Sequence, residues 1–266
     1  MDLEWNSTSL DTVCAGLCYA MGIEAPAQAA APAPTMQTWL DEKLGNKKAD
    51  RVLMFNPDAI AQWVYEKYPH LMAEAIQRTD LSLPLRAVMP SVTPVCFGTM
   101  YTGAQPEVHG IRRYEKPVIR IDTIFDALVR NGKKAVIIGD THCSLGKIFL
   151  EREMDYFLYD TEEEINAKAV QVIMEDKYDF IVIYNGNYDS RMHKVGTEDA
   201  HALGELRYNA RTFGMLCELV KTHWQDHTTL VGFAMDHGCH DIDGNCGSHG
   251  LDMPEDLNIV HLYGIY

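Results

Sequence analysis

Apolar and polar positions fall into two kinds of block from Arg51 onward. Short, nearly continuous apolar runs recur at 51–55 (RVLMF), 85–89 (LRAVM), 134–139 (KAVIIG), 154–159 (MDYFLY), 178–185 (YDFIVIYN), 228–235 (TTLVGFAM) and 257–264 (LNIVHLYG). Each is the length of a strand that is buried on both faces. Between them lie stretches with helical spacing: 58–68, 121–132, 161–176 and 199–223. Gly132 is a stop signal for the second, and Thr161 is a cap for the third, with acids in its first turn. Strands alternating with helices predict an α/β fold, a mostly parallel sheet sandwiched between helices.

The first 50 residues follow a different pattern. Residues 8–23 read as an apolar helix, and 24–35 (EAPAQAAAPAPT) as an Ala/Pro linker, flexible or extended. The expected division is therefore 1–50, a helix and linker, and 51–266, the α/β domain. Cys14 and Cys18 are four apart on the apolar helix, as core-packing residues would be.

Composition narrows the partners. Of 266 residues 47% are hydrophobic, enough for one large core. The formal net charge of -15 repels nucleic acid polymers and anionic membranes, so neither is an expected partner. The opening MDLEWNSTSL has no basic n-region, and no apolar stretch is long enough to span a bilayer. Seven cysteines without zinc-ribbon spacing read as reduced thiols. Together these features suggest a cytoplasmic protein. A homo-oligomer is left open.

Folds of this class keep their chemistry at the carboxyl ends of strands. Asp58 follows the first strand, and Ser91 and Thr93 follow the second. Asp140 and His142 come next, then Asp189 and His193, then Asp236, His237, His240 and His249. Several acids and histidines gathered at one edge suggest a metal site, since divalent cations take O and N ligands from several elements. Thr93 precedes Pro94, which suits a helix start with Thr at the cap. Such an end attracts phosphate, and a hydroxyl there would lie beside it. Ser91 competes for that role. Asp58 also reads as the N-cap of a helix over 59–68, His109 as a turn residue, and His240 as a solvated loop histidine.

The segment T-x8-T-G-x2-P-x2-HG runs from Thr93 to Gly110. The later motifs are Asp189-x3-His193, Asp236-His237-Gly238 and Gly247-x-His249-Gly250. In this order they resemble the nucleotide pyrophosphatase/phosphodiesterase branch of the alkaline phosphatase superfamily. The resemblance spans roughly 51–264. It implies an alkaline-phosphatase-like fold and a metal-dependent phosphoester hydrolase that works through a covalent phospho-threonine. Its substrate would be a small phosphorylated molecule. It implies two divalent ions, zinc or alternatively manganese. Asp189, His193 and His249 would hold the first. Asp58, Asp236, His237 and the Thr93 oxygen would hold the second, with Thr93 as nucleophile.

Two positions depart from the family pattern. Its first strand usually ends in Asp-Gly, where this chain has Pro57-Asp58-Ala59. Its diesterases usually carry Asn three residues after the nucleophile, where this chain has Cys96. Cys96, Lys116 and Asp140 are the candidate substrate contacts. A phosphomonoesterase, a phosphonoacetate-hydrolase-like enzyme, a phosphomutase and a non-catalytic metal- or phospho-ligand-binding relative are the alternatives. A sulfatase is disfavoured, because 96–100 lacks the formylglycine signature.

Overall fold

A computed structural model describes residues 4–266. The first half contains α1 (Thr12–Met21), α2 (Pro34–Leu44), β1 (Arg51–Pro57), α3 (Gln62–Lys67), α4 (Ala73–Ile76), β2 (Leu81–Arg86), α5 (Thr93–Thr102), α6 (Pro106–His109) and α7 (Ile124–Arg130). There follow β3 (Ala135–Asp140), α8 (Ser144–Ile148), β4 (Asp155–Tyr159), α9 (Glu162–Glu175), β5 (Phe180–Asn185), α10 (Asn187–Val195) and α11 (Ala200–His223). The chain closes with β6 (Thr229–Phe233), β7 (His240–Ile242), β8 (Cys246–Ser248), α12 (Pro254–Leu257) and β9 (Asn258–Ile265).

Seven strands form one sheet in the order β2-β9-β6-β1-β5-β3-β4. The run β6-β1-β5-β3-β4 is parallel throughout, and only the pairings of β9 with β6 and with β2 are antiparallel. β7 and β8 make a separate hairpin. The sheet is mixed but mostly parallel, as its apolar runs predict.

Successive residues of β1 show how the two faces are covered. Phe55 packs at a tilt against Phe213 of α11, while Asn56 accepts a hydrogen bond from Tyr101 of α5 on the other side. The central strands are accordingly buried along almost their whole length. No helix among the described residues is long and apolar enough to cross a membrane.

Three sequence readings need correction. The second strand is Leu81–Arg86, not 85–89. Leu81, Leu83 and Leu85 face in while Ser82, Pro84 and Arg86 face out, the alternation of a strand covered on one face. It lies at the sheet edge, where Pro84 is tolerated. The helix expected over 58–68 spans only Gln62–Lys67, and its N-cap is Ala61, so Asp58 caps nothing. The segment running out of the linker carries a further helix, α2, whose buried Met36, Trp39, Leu40 and Leu44 pack at helical spacing. The Ala/Pro segment itself is pinned: Ala30 N–H donates to the Gly103 carbonyl and Gln28 Nε2 to those of Thr102 and Asp122. Cys14 and Cys18 are buried in the core, and none of the seven cysteines is in a disulfide.

At the amino ends of the strands, His227 bridges Asp50 (2.5 Å) and Asp176 (2.9 Å). Burial pulls its pKa down, but the two carboxylates outweigh that and hold it above the usual value. A raised histidine contributes stability below pH 6.5 that is lost as pH rises through its folded pKa. His227→Gln is therefore expected to cost about 1 kcal/mol near pH 6, lowering the melting temperature by about 3 °C. The deficit should shrink as pH rises through that raised pKa, as thermal melts will show.

Candidate metal centre

Helical spacing builds the first ligand group. Asp189 and His193 lie four apart on α10, so both project from one face. His249 arrives from the segment after β8. The three ligating atoms form a tight triangle: His193 Nε2 to Asp189 Oδ1 3.1 Å, His249 Nε2 to Asp189 Oδ1 3.4 Å, and the two Nε2 atoms 3.2 Å apart. Each imidazole donates its Nδ1–H to a carbonyl, His193 to Gly247 and His249 to Ser91, both at 2.9 Å. A carbonyl can only accept, so in the neutral rings both Nε2 lone pairs point at the same spot.

An irregular loop after β6 builds the second group. Adjacent Asp236 and His237 reach one point because neither strand nor helix constrains them there. His237 Nε2 lies 3.5 Å from Asp58 Oδ1 and 3.4 Å from Asp236 Oδ2, and its Nδ1 donates to the Gly238 carbonyl at 3.0 Å. Thr93 Oγ1 lies 3.3 Å from Asp58 Oδ2 and 3.4 Å from His237 Nε2. The structure thus brings Asp58, Thr93, Asp236 and His237 together, and Asp189, His193 and His249 beside them.

Three buried carboxylate oxygens lack any hydrogen-bond partner: Asp58 Oδ1, Asp189 Oδ1 and Asp236 Oδ2. They are the oxygens that face the imidazole Nε2 atoms of the two groups. A buried, unsatisfied carboxylate oxygen is costly, and a cation at each cluster would satisfy it. The donor set, three oxygens and three imidazole nitrogens, fits zinc or manganese. Protonation tells the same story. Burial, then the charge of Asp189, pushes Asp58 up to about 7, and burial with the Asp58 charge raises Asp236 well above the carboxylate range. Burial and the neighbouring His249 pull His237 down to about 3, so it stays neutral. Burial would raise Asp189, but the adjacent imidazoles of His193 and His249 outweigh that and hold it far below the usual value.

The departures from the family pattern have local explanations. Along β1 the even-numbered N–H groups point to β5, as Val52 to Asp179 and Asp58 to Asn185 show. The Pro57 nitrogen therefore faces β6, whose pairing with β1 stops at Phe233. Proline costs no ladder bond there, and Asp58 keeps its place. Ala59 stands in the left-handed region at φ 62°, where glycine is at ease, and its N–H donates to Asp236 Oδ1 at 3.1 Å. Ala59→Gly is expected to stabilise the fold by roughly 0.5–1 kcal/mol, the relief of left-handed strain less the added chain entropy. Denaturant unfolding measures it.

Thr93 is the first residue of α5 rather than its cap, which is Val92. Ser91 is not at the metal groups. Its carbonyl holds His249 and its hydroxyl accepts from Gly250 N–H at 3.1 Å. Cys96 is fully buried, its thiol turned toward the Val88 carbonyl, so it offers a substrate no surface. Lys116 and Asp140 do line the cavity of about 490 Å³ over Thr93, with Tyr114, His142 and Ser190. Lys116 Nζ donates to the His142 carbonyl at 2.6 Å and Asp140 accepts from the His142 N–H. His109 sits at a turn with both nitrogens used, toward Thr99 Oγ1 and Ile111 N–H. His240 pairs with buried Asp256 at 2.7 Å and is less exposed than a solvated loop residue.

Sequence reasoning missed Tyr184 and His261. Tyr184 ends the apolar run of β5, and its hydroxyl donates to Asp58 Oδ2. Its strand-end position was the available signal. His261 donates to the Met235 carbonyl at 2.6 Å, and Asn56 to that of Ala234 at 2.8 Å, which fixes the backbone just before Asp236. Beyond it the loop is held by close contact. A Cβ on Gly238 would lie 2.1 Å from the Glu255 carbonyl oxygen. Gly238→Ala is expected to displace Asp236 and His237, costing at least 2 kcal/mol and one metal equivalent per chain by elemental analysis.

Comparison with known proteins follows the same line. Residues 55–117, which include Asp58 and Thr93, match the family model described as type I phosphodiesterase / nucleotide pyrophosphatase. The fold is similar to murine ectonucleotide pyrophosphatase / phosphodiesterase 5, solved as an inactive variant in complex with AMP. Identity is 16% over 73% of this chain and 59% of that one, with a TM-score of 0.59. The human counterpart gives 14% identity over 72% and 58%, with a TM-score of 0.56. Phosphonoacetate hydrolase from Sinorhizobium meliloti, in complex with phosphonoacetate, gives 16% over 74% and 59%, with a TM-score of 0.54. At these identities the likeness is one of fold, and the chain spans less than two thirds of each of these structures. No curated protein matches in sequence. In matched segment and in fold, the chain resembles the nucleotide pyrophosphatase/phosphodiesterase branch of the alkaline phosphatase superfamily.

Proposed function

We propose that the protein is a two-metal phosphoester hydrolase of phosphodiesterase or nucleotide pyrophosphatase type, with Thr93 as nucleophile. The observation that carries this reading is the position of Thr93 Oγ1. It lies beside Asp58 and His237 at the start of a helix, under an open cavity that also reaches Asp189, His193 and His249.

Asp189, His193 and His249 would hold one divalent cation and Asp58, Asp236 and His237 the other. Bound there, the pair would lower the threonine pKa and neutralise charge on the phosphoryl oxygens. The residues of the chain do the rest. Asp58 Oδ2 accepts from Tyr184 and lies 3.3 Å from Thr93 Oγ1. It therefore draws the threonine proton away from the cavity and leaves an oxygen lone pair facing the phosphorus. The amino end of α5 adds partial positive charge where the phosphoryl oxygens lie. Thr93 Oγ1 attacks in line as Asp58 Oδ2 takes its proton, a Thr93–phosphorus bond forms, and the bond to the leaving alcohol or phosphate breaks, the leaving oxygen taking up a proton from solvent water. Water then cleaves phospho-threonine, returning the hydroxyl and releasing the phosphoryl product. Lys116 and Asp140, on the cavity wall, are the substrate contacts of this reading.

Side-by-side assays of bis-(p-nitrophenyl) phosphate, p-nitrophenyl phosphate and a nucleoside triphosphate test it. Hydrolysis should fall at least 100-fold with chelator and return with zinc or manganese. The order of the three rates decides between diester and monoester use. Chelator-resistant turnover would defeat the metal assignment.

A further inference from the structure

A second lobe adjoins the cavity over Thr93. It has a volume of about 470 Å³ and shares Glu162 and Ser190 with the first. Helix α10 forms their common wall. Asp189 and His193 line the first lobe, while Asn187, Arg191 and Lys194 line the second. Offsets of four and seven from Asn187 put those three on one stripe of the helix. Exposed Ser190 lies between the two stripes, at the passage.

The chemistry of the second lobe is that of a site for hydroxyl groups. Every lining side chain is polar, with the ring of Tyr208 the one apolar surface among them. Asn187 is only 8% exposed. Its Nδ2 donates to Glu205 Oε2 at 2.8 Å, while its Oδ1 has no partner. That oxygen is buried beside the lobe, and because the terminal torsion of Asn is soft a ligand hydroxyl can draw it in, replacing the bond to Glu205. Tyr208 accepts from Asn166 Nδ2 at 3.1 Å, and its own proton is left to give. Arg191 is only loosely paired with Glu205, at 3.8 Å. Acceptors and donors thus face one space. The basic Arg191 and Lys194 are offset by Glu162, Glu163 and Glu205, so an added anionic group gains nothing there.

We propose that this lobe receives the leaving group, and that the leaving group is a neutral polyhydroxylated alcohol, a sugar or cyclitol. The proposal rests on the phosphoester-hydrolase reading above and names its substrate class. A substrate held by its phosphorus at Thr93 would pass its alcohol over Ser190 and hydrogen-bond to Asn187, Glu205 and Tyr208.

Calorimetric titration of the zinc-loaded Thr93→Ala protein with glucose 1-phosphate, methyl phosphate and inorganic phosphate tests this without turnover. Glucose 1-phosphate should bind at least 10-fold tighter than methyl phosphate. Adding Asn187→Ala should erase that advantage and leave methyl phosphate affinity unchanged. Tyr208→Phe, on the surface, should reduce it several-fold and decides the matter if Asn187→Ala disturbs folding. Equal affinity for the two esters, with phosphate still bound, overturns the proposal and spares the hydrolase reading. So does a glucose preference that survives both substitutions. Failure of all three ligands to bind overturns both.

Discussion

Thr93→Ala should reduce hydrolysis at least 1,000-fold while both metal equivalents stay bound. Thr93 contributes one oxygen to a cluster whose other ligands, Asp58, Asp236 and His237, approach one another without it. Removing that oxygen leaves the cation sites largely intact but leaves no atom to bond to phosphorus. Thr93→Ser keeps an oxygen at the helix start and should retain measurable turnover, lowered by the looser rotamer of serine. Ser91 cannot substitute, because its hydroxyl and carbonyl are committed to Gly250 and His249. Elemental analysis alongside steady-state kinetics separates the outcomes. Full activity in Thr93→Ala would remove the proposed mechanism; lost metal with lost activity would make Thr93 a ligand first.

Stability should depend on pH in opposite senses with and without cations. In chelator, Asp58 binds its proton more tightly folded than unfolded, with a pKa of about 7 against 3.8. A raised carboxyl contributes stability at low pH that is lost as pH rises through its folded pKa. His193 is raised by Asp189. His249 is raised by the same carboxylate despite its burial. Their contribution is present below pH 6.5 and lost above the raised values. Asp189 and His237 act in the reverse direction, Asp189 below pH 3.8 and His237, lowered to about 3, below pH 6.5. The metal-free protein should therefore lose melting temperature above about pH 6.5, where only the raised groups still titrate. Zinc requires the deprotonated ligands, so its stabilisation should grow over that interval. At free zinc of 1,000 times the dissociation constant the gain is about 4 kcal/mol, or about 10 °C for a chain of this size. Scanning calorimetry at pH 6.5 and 8, with chelator and with zinc, should show the two curves diverge. Parallel curves would mean that the buried carboxylates do not share a cation.

The sheet was readable because its central strands are buried on both faces and so carry unbroken apolar runs. The edge strand β2 was displaced in the reading because only one of its faces is covered, and its signal is alternation around Pro84. Helix α2 was missed although Met36, Trp39, Leu40 and Leu44 stand at helical spacing, with Gln37, Thr38, Asp41 and Glu42 on the opposite face. The acids and histidines at strand ends were visible as residues. Their convergence depended on order and spacing, and only Asp189 and His193, one helical turn apart, carried geometry of their own. Tyr184 offered only its strand-end position, and Asn56 and His261 offered nothing of their roles, because all three act through partners on neighbouring strands that are far away in the sequence. The positive φ at Ala59 was equally hidden, since an alanine gives no sign of it.

The bond from His249 to the Ser91 carbonyl yokes two stretches of chain separated by most of the domain. Residues 91–93 and 247–250 therefore behave as one mechanical part. Transplanting the threonine segment onto another scaffold would fail unless the histidine stretch travelled with it. Laboratory evolution of this protein should likewise accumulate paired changes across that seam.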